Sequence, residues 1–454
     1  MQEEYRRQRA DFGGILTVEW YFALLLMLAI IGFGMAIGLP VAFVFIGANL
    51  VGIALFVGGA GALEFLSSEM FESVAKFSFV PIILFLLMGE IIFQSKIAFR
   101  AINAVDLLIS GVPGRMAVVA IAGGTVFSSL TGSSIANTAL MGRVLLPDML
   151  KGGYHPSIAM GSIMGTGGIA MLIPPSAMAV LLASLAYISV SSLLVAGIMP
   201  GIMMAALFLG YVLVRCTLNP ALAPPQADNA GLTHRERWRP FLIYVLPLIL
   251  IFFAVVGSIL GGIASPDESA AIGCLAAMIA ALAYRSMSLE VLKNSLLETA
   301  KVAAMILLIV AGSTTFSQIL SVSGVIQGLL HYVEGLNLTT FEAVLMMLMV
   351  LIFLGAFMDQ VSMLLITLPF FLPIAQAHEV NMLWLGVLFL VMMELSLLTP
   401  PFGLLLFVMR GMAPASISTP AIYRAGIPFI CLELLVLLVL FLFPEVALWL
   451  PSLL

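Results

Sequence analysis

Four landmarks of this chain recur at one fixed spacing, so the polypeptide reads as one module written twice. Pro40 and Pro266, Glu72 and Glu298, Pro147 and Pro373, and Pro174-Pro175 and Pro400-Pro401 each stand 226 residues apart. Further along the offset becomes 228, at Pro200 and Pro428. The surrounding residues agree in character: Leu172-Ile173-Pro174-Pro175 returns as Leu398-Thr399-Pro400-Pro401. Such a repeat constrains the fold strongly, because whatever the first half forms the second must form again.

The solvent for that module is lipid. The chain is 62% hydrophobic and only 9% charged, and residues 21–63 carry no charge. A spanning helix takes about 20 apolar residues, so this run holds two, with a turn near Gly38-Leu39-Pro40. A duplicated, helix-broken membrane protein has the pattern of a secondary transporter. The net charge of −5 comes with no basic patch suited to nucleic acid. Cys216, Cys274 and Cys431 form no C-x-x-C pair and read as packing residues. The first apolar run is too long for a cleaved signal peptide, and no A-x-A-like site follows it.

Spans are expected near 17–37, 40–60, 79–95, 156–183 and 192–216, then near 240–262, 266–284, 302–320, 384–408 and 420–445. Between the third and fourth spans of each half lies a different element. Two apolar arms flank Gly132-Ser133-Ser134; each is about 24 Å long if helical, short of the roughly 30 Å hydrocarbon core. That length predicts a re-entrant hairpin whose tip is covered by protein or a watery cavity. Its counterpart turns at Met358-Asp359-Gln360. Amphipathic stretches at Leu63–Lys76 and Met287–Glu298 read as helices lying in the interface.

The expected fold is therefore an all-α integral membrane protein of two inverted-topology repeats, each with about five transmembrane helices and one re-entrant hairpin. Its parts are an N-terminal tail (1–16), repeat 1 (17–216, hairpin 114–150), a cytoplasmic linker (217–239), repeat 2 (240–445, hairpin 341–376) and a C-terminal tail (446–454). Five spans per half is odd and a re-entrant hairpin does not change sides, which is why the second repeat must be inverted. Placing both termini outside puts 14 of the 18 Lys and Arg residues on the cytoplasmic side.

Chemistry is concentrated at the breaks. Thr131-Gly132-Ser133-Ser134-Ile135-Ala136-Asn137-Thr138 offers hydroxyls, an amide and freed carbonyls at membrane depth. Hard oxygen ligands suit a small alkali cation; equally, small residues let helices pack closely. Proline lacks the amide donor and clashes with the preceding turn. Gly167-Gly168 with Pro174-Pro175-Ser176, and Thr399-Pro400-Pro401-Phe402-Gly403, therefore interrupt the fourth spans, either as packing kinks or as cation sites. Asp359 is the repeat-mate of Ser133, and a membrane-embedded carboxylate is a functional candidate by default; it reads as a cation ligand or as a helix cap facing water. Glu90, in an apolar run, falls under the same suspicion. The cation candidates are thus Ser133, Ser134, Asn137, Gly168, Pro174, Asp359, Thr399 and Gly403, around substrate candidates Gly132, Ser133, Pro175, Ser176, Asp359 and Pro401. Ser265-Pro266-Asp267-Glu268 reads as a helix start with a capping box. No H-E-x-x-H, G-x-S-x-G or Walker pattern occurs, so a non-enzymatic carrier driven by an ion gradient is expected.

At these residues the chain resembles the large membrane subunit of tripartite ATP-independent periplasmic (TRAP) transporters. The resemblance rests on Leu130-Thr131-Gly132-Ser133-Ser134, Leu172-Ile173-Pro174-Pro175-Ser176, Gly197-Ile198-Met199-Pro200-Gly201, Ser265-Pro266-Asp267-Glu268-Ser269-Ala270-Ala271 and Thr399-Pro400-Pro401-Phe402-Gly403, in the family's order. It implies a sodium-coupled elevator in the bacterial inner membrane, in which hairpin tips and broken helices move together, with Na+ as coupling ion. It also implies a separate four-helix small membrane subunit and a periplasmic binding protein that delivers an organic acid such as a C4-dicarboxylate or sialic acid. A stand-alone sodium–dicarboxylate symporter is the competing expectation.

Overall fold

The computed structural model describes residues 19–57, 62–109, 111–224 and 233–453. The expected N-terminal tail, 1–16, and residues 225–232 of the expected linker lie outside them. Among the described residues every regular element is helical. Seven helices among them are long and apolar enough to cross a membrane, and the chain is a multi-pass membrane protein.

The first half runs α1 (Trp20–Ala36), α2 (Val41–Gly52), α3 (Ala62–Val74), α4 (Val80–Gln94), α5 (Ile97–Leu108), α6 (Arg115–Thr131), α7 (Ser134–Lys151), α8 (Pro156–Gly167), α9 (Ala177–Ala186) and α10 (Val190–Leu218). A short α11 (His234–Pro240) follows. The second half runs α12 (Leu246–Leu260), α13 (Pro266–Ala283), α14 (Leu289–Val322), α15 (Val325–Glu334), α16 (Thr340–Gly355), α17 (Gln360–Ala377), α18 (Met382–Leu398), α19 (Leu404–Met412) and α20 (Thr419–Leu442), with α21 (Glu445–Leu448) at the end. Moving α7 on by 226 residues gives the bounds of α17, and the same shift carries the start of α8 onto that of α18.

The halves differ where their sequences do. Met287–Glu298 was expected to form its own interfacial helix, yet it runs on into the next span as the 34-residue α14. In the first half α3 and α4 are separated by a 3-10 turn at Phe77–Phe79. The reason is Pro81 in the first turn of α4, which lacks an amide donor and clashes with the carbonyl four residues back, so the helix cannot run on from before it; its repeat-mate is Leu307, which lets the helix continue. Likewise α8 stops after 12 residues at Gly167-Gly168, whereas α18 carries Met393-Glu394 at those positions and continues for 17. Glycine is among the weakest helix formers; Met and Glu are good ones. Ser265 caps α13 in a complete capping box: Glu268 accepts the Ser265 N–H at 2.8 Å, and Pro266 occupies the first turn.

The chain forms two compact units. One comprises Met1–Phe77, Lys301–Met349 and Val361–Asn381. Its core joins α1, α2 and the later part of α14: the Phe45 and Phe316 rings meet edge-to-face at 5.6 Å, and Asn49 Nδ2 donates to the Gly312 carbonyl at 2.8 Å. Ser313 Oγ donates to the Leu365 carbonyl, tying α14 to α17.

The other unit comprises Ser78–Ala300, Val350–Gln360 and Met382–Leu454. Here α6 and α7 pack on each other and on α8, and α20 packs on α8. Lipid offers no apolar driving force between helices, so close backbone approach through small residues does that work. Gly161 and Gly165 provide it: a Cβ on Gly165 would lie 2.2 Å from the Phe429 ring of α20, and one on Gly161 would lie 2.6 Å from the Ala425 carbonyl oxygen. Outward-facing Leu250, Phe253, Leu275, Ile279 and Leu282 on α12 and α13 are exposed, as a lipid-facing surface requires.

Candidate functional site

The site lies in the second unit, where α8 breaks. Helices of 12 and 10 residues reach only about 18 and 15 Å, so α8 and α9 cross the core only together with the irregular stretch 168–176. Pro174-Pro175 is a cis peptide, and the stretch ends at Ser176, whose side chain caps α9 by accepting the Ala179 N–H at 3.2 Å. Residues 168–176 are buried throughout. A buried broken helix must find partners for its backbone polar groups.

The tip between α6 and α7 meets this break. Gly132 closes α6 with a positive φ of 57°, a conformation that costs glycine least. A Cβ there would lie 3.2 Å from the Pro175 carbonyl oxygen. Ser133 caps α7, accepting the Ala136 N–H at 3.3 Å, so its hydroxyl is already engaged. Ser134 and Asn137 are buried; Asn137 Nδ2 donates to the Thr166 carbonyl at 3.0 Å, next to Gly167-Gly168. The structure therefore gathers Gly132, Ser133, Ser134, Asn137, Gly168, Pro174, Pro175 and Ser176 around one break.

The motif Gly197-Ile198-Met199-Pro200-Gly201 has a structural task there. On α10 the absent side chains of Gly197 and Gly201 admit the break: a Cβ on Gly197 would sit 2.2 Å from the Leu172 carbonyl oxygen, and one on Gly201 2.5 Å from Ile173 Cγ1.

The second break is more open. Its cis peptide is Pro400-Pro401; Thr399 Oγ1 donates to the Leu395 carbonyl at 2.7 Å, and the Phe402 N–H donates to the Ala356 carbonyl at 3.2 Å. That last bond joins the break to the turn that holds Asp359, which directly precedes α17. Asp359 and Thr399 are half-buried and Pro401 is exposed, whereas Gly403 is buried. Asp359, Thr399, Pro401 and Gly403 thus belong to this second tip-and-break pair. Glu90 is half-buried and accepts from Gln94 Nε2 at 3.2 Å on its own helix.

Two residues escaped the sequence reading. Glu394 on α18 and Glu433 on α20 are both fully buried. Glu394 fills the gap in the broken backbone: Oε1 accepts the Met171 N–H, and Oε2 accepts Ser134 Oγ at 3.0 Å. It thereby ties the break to the start of α7 from a distant helix. Glu394 is the repeat-mate of Gly168, so aligning the two halves would have exposed it as the point where their symmetry fails. Glu433 has no repeat counterpart of its type, Ala205 standing at the 228-residue offset.

Among the described residues no group of three His, Cys, Asp or Glu side chains could hold a metal.

Comparison with known proteins places this geometry in context. A model of the family described as "Tripartite ATP-independent periplasmic transporter, DctM component" matches residues 25–446. The C4-dicarboxylate TRAP transporter large permease protein DctM of Pseudomonas aeruginosa is 29% identical over 388 residues, 85% of this chain and 89% of that one. The ectoine TRAP transporter large permease protein TeaC of Halomonas elongata is 29% identical over 435 residues, 95% of this chain and 98% of that one. Among solved structures, the Alcanivorax borkumensis YdaH transporter shares the fold at a TM-score of 0.59 and 14% identity, covering 92% of this chain and 97% of that one.

Proposed function

The chain belongs to the DctM-component family of tripartite ATP-independent periplasmic transporters, and on that premise we propose that it is the large transmembrane subunit of a sodium-coupled secondary transporter that imports an organic acid. The observation that carries the reading is the buried break at 168–176, packed against a hairpin tip and surrounded by oxygen atoms. Broken helices supply cation ligands from freed backbone groups, while their N-termini favour anions. Here α7 and α9 start beside each other, at Ser133 and Ser176, and their positive ends suit a substrate carboxylate. The curated relatives are named for C4-dicarboxylate, ectoine and sialic acid, which supports a small carboxylate-bearing cargo. Gly132, Ser133, Pro175, Ser176, Asp359 and Pro401 would face it. Sodium would be held by Ser134, Asn137, Gly168 and Pro174 at the first break and by Asp359, Thr399 and Gly403 at the second. The tips and breaks would carry the cargo across as a moving body.

The partners are a separate four-helix membrane subunit and a periplasmic binding protein, and the location is the bacterial inner membrane. Vesicles holding this chain and its small subunit, given an inward sodium gradient without ATP, are expected to take up substrate only when the binding protein is added. In the same vesicles Asp359→Ala should weaken the dependence of uptake on sodium. Robust uptake by this chain alone would instead establish a stand-alone symporter, and an unchanged sodium dependence would remove Asp359 from the ligand set.

The charge bias supports an orientation in which both termini would lie on the periplasmic side and the 217–239 linker in the cytoplasm. Single cysteines labelled from outside intact cells are expected to react at position 453 and not at 236. The opposite pattern would reverse the insertion proposed here.

A further inference from the structure

The carboxylate of Glu433 is the least explained group in the protein. It is fully buried, and neither of its oxygens has a hydrogen-bond partner among the described residues. A carboxylate buried without donors or a counter-charge is strongly disfavoured. Among the described residues of the helices packed around it, no side chain supplies that charge. Arg424, on the same helix, is nine residues away, roughly 13 Å along the axis. Of the helices packed on α20, α8 and α18 carry no Lys or Arg; α10 carries only Arg215, near its far end, and Arg410 of α19 donates to the Ile417 carbonyl. The other buried carboxylate at the break is Glu394, held by the Met171 N–H.

The surroundings are built from oxygen. Glu433 Oε1 lies 2.3 Å from where a Cβ on Gly168 would stand, and Thr138 Oγ1 lies 2.4 Å from the equivalent point on Gly167. Thr138 Oγ1 and Asn137 Oδ1 are also buried without a partner among the described residues. Asn137 is fixed by its bond to the Thr166 carbonyl, and Glu394 by the Met171 N–H. All four side chains therefore converge on the six residues from Thr166 to Met171. Each Glu394 oxygen already takes a hydrogen bond, so Glu433 supplies the one carboxylate with no partner.

We propose that Glu433, assisted by Glu394, supplies the negative charge of a buried monovalent-cation site at the α8 break, with Asn137 Oδ1 and Thr138 Oγ1 as neutral oxygens on its wall. The site rests on the sodium-coupled reading above and names its charged component, which the tip sequence lacks. Glu433 is the carboxylate there with both oxygens free, and one such carboxylate among neutral oxygens fits an alkali ion better than a divalent one. Gly168 is required at this point because any side chain would drive the carboxylate out of the site.

The test uses the full-length chain with its small subunit, purified in detergent and titrated with sodium chloride against choline chloride at constant ionic strength. Thermal unfolding of the wild type is expected to rise with sodium, as for any ion that binds the folded state alone. Glu433→Gln should raise the half-saturating sodium concentration by about tenfold, equivalent to about 1.4 kcal/mol, without lowering stability in choline. Gly168→Ala should raise it as well, by displacing the carboxylate. In vesicles, sodium-driven uptake should shift in parallel. Unchanged half-saturation in Glu433→Gln, with wild-type uptake still sodium-dependent, would overturn this site and leave the functional reading standing. Loss of pH dependence in place of sodium affinity would mean that a proton occupies the pair, which also overturns it. Wild-type uptake indifferent to sodium would remove the functional reading itself.

Discussion

Replacing Glu394 by leucine is expected to lower the stability of the detergent-purified protein by about 2–4 kcal/mol and to abolish uptake. The side chain accepts two hydrogen bonds in a fully buried setting, from the Met171 N–H and from Ser134 Oγ. Leucine strands both donors, and each buried unsatisfied group costs about 1–3 kcal/mol. An opposing effect must be separated: removing Glu394 also relieves its repulsion with Glu433, and removal of a buried charge can be neutral or stabilising. The comparison therefore belongs in the Glu433→Gln background, where that repulsion is gone and only the stranded donors remain. Glu394→Gln should fall between, because its amide oxygen still accepts one of the two bonds. Equal unfolding temperatures for all three chains would show that Glu394 does not hold the break together.

Much of this arrangement was legible in the sequence because it depends on local chemistry. The Pro-Pro pairs restrict the backbone, and Gly167-Gly168 and Gly132 free it from helical geometry, wherever they stand, so the helix breaks and the tip could be read directly. The capping box at Ser265 is equally local. What could not be read was which distant helix repairs each break. Glu394 lies in Val391-Met392-Met393-Glu394-Leu395 and Glu433 in Cys431-Leu432-Glu433-Leu434, and both runs read as ordinary spans. The rule that singled out Glu90, a lone acid in an apolar run, applied to both of them with equal force. Their importance comes from tertiary packing, which periodicity does not encode. Only the mismatch between Gly168 and Glu394 at equivalent repeat positions carried a trace of it. The continuous α14 shows the converse case: an amphipathic pattern suggested a surface helix, but the absence of a proline at Leu307 decided the outcome.

A single added methyl group on α10 should be nearly as damaging as the loss of Glu394. Gly197→Ala would place a Cβ 2.2 Å from the carbonyl oxygen of Leu172. That oxygen belongs to the backbone of a buried segment, so it cannot rotate aside as a side chain would. Either α10 retreats or the break moves, and overpacking of this kind costs about 1–3 kcal/mol. Movement of Leu172 would carry its neighbour Met171 with it and weaken the Met171–Glu394 bond. Transport should therefore suffer more than stability alone accounts for. Gly210→Ala, on the same helix, is the matched control, because nothing lies within 4 Å of its added carbon; it should unfold and transport like the parent protein. If Gly197→Ala matched Gly210→Ala in both unfolding temperature and uptake, close contact between α10 and the break would have no part in positioning the site.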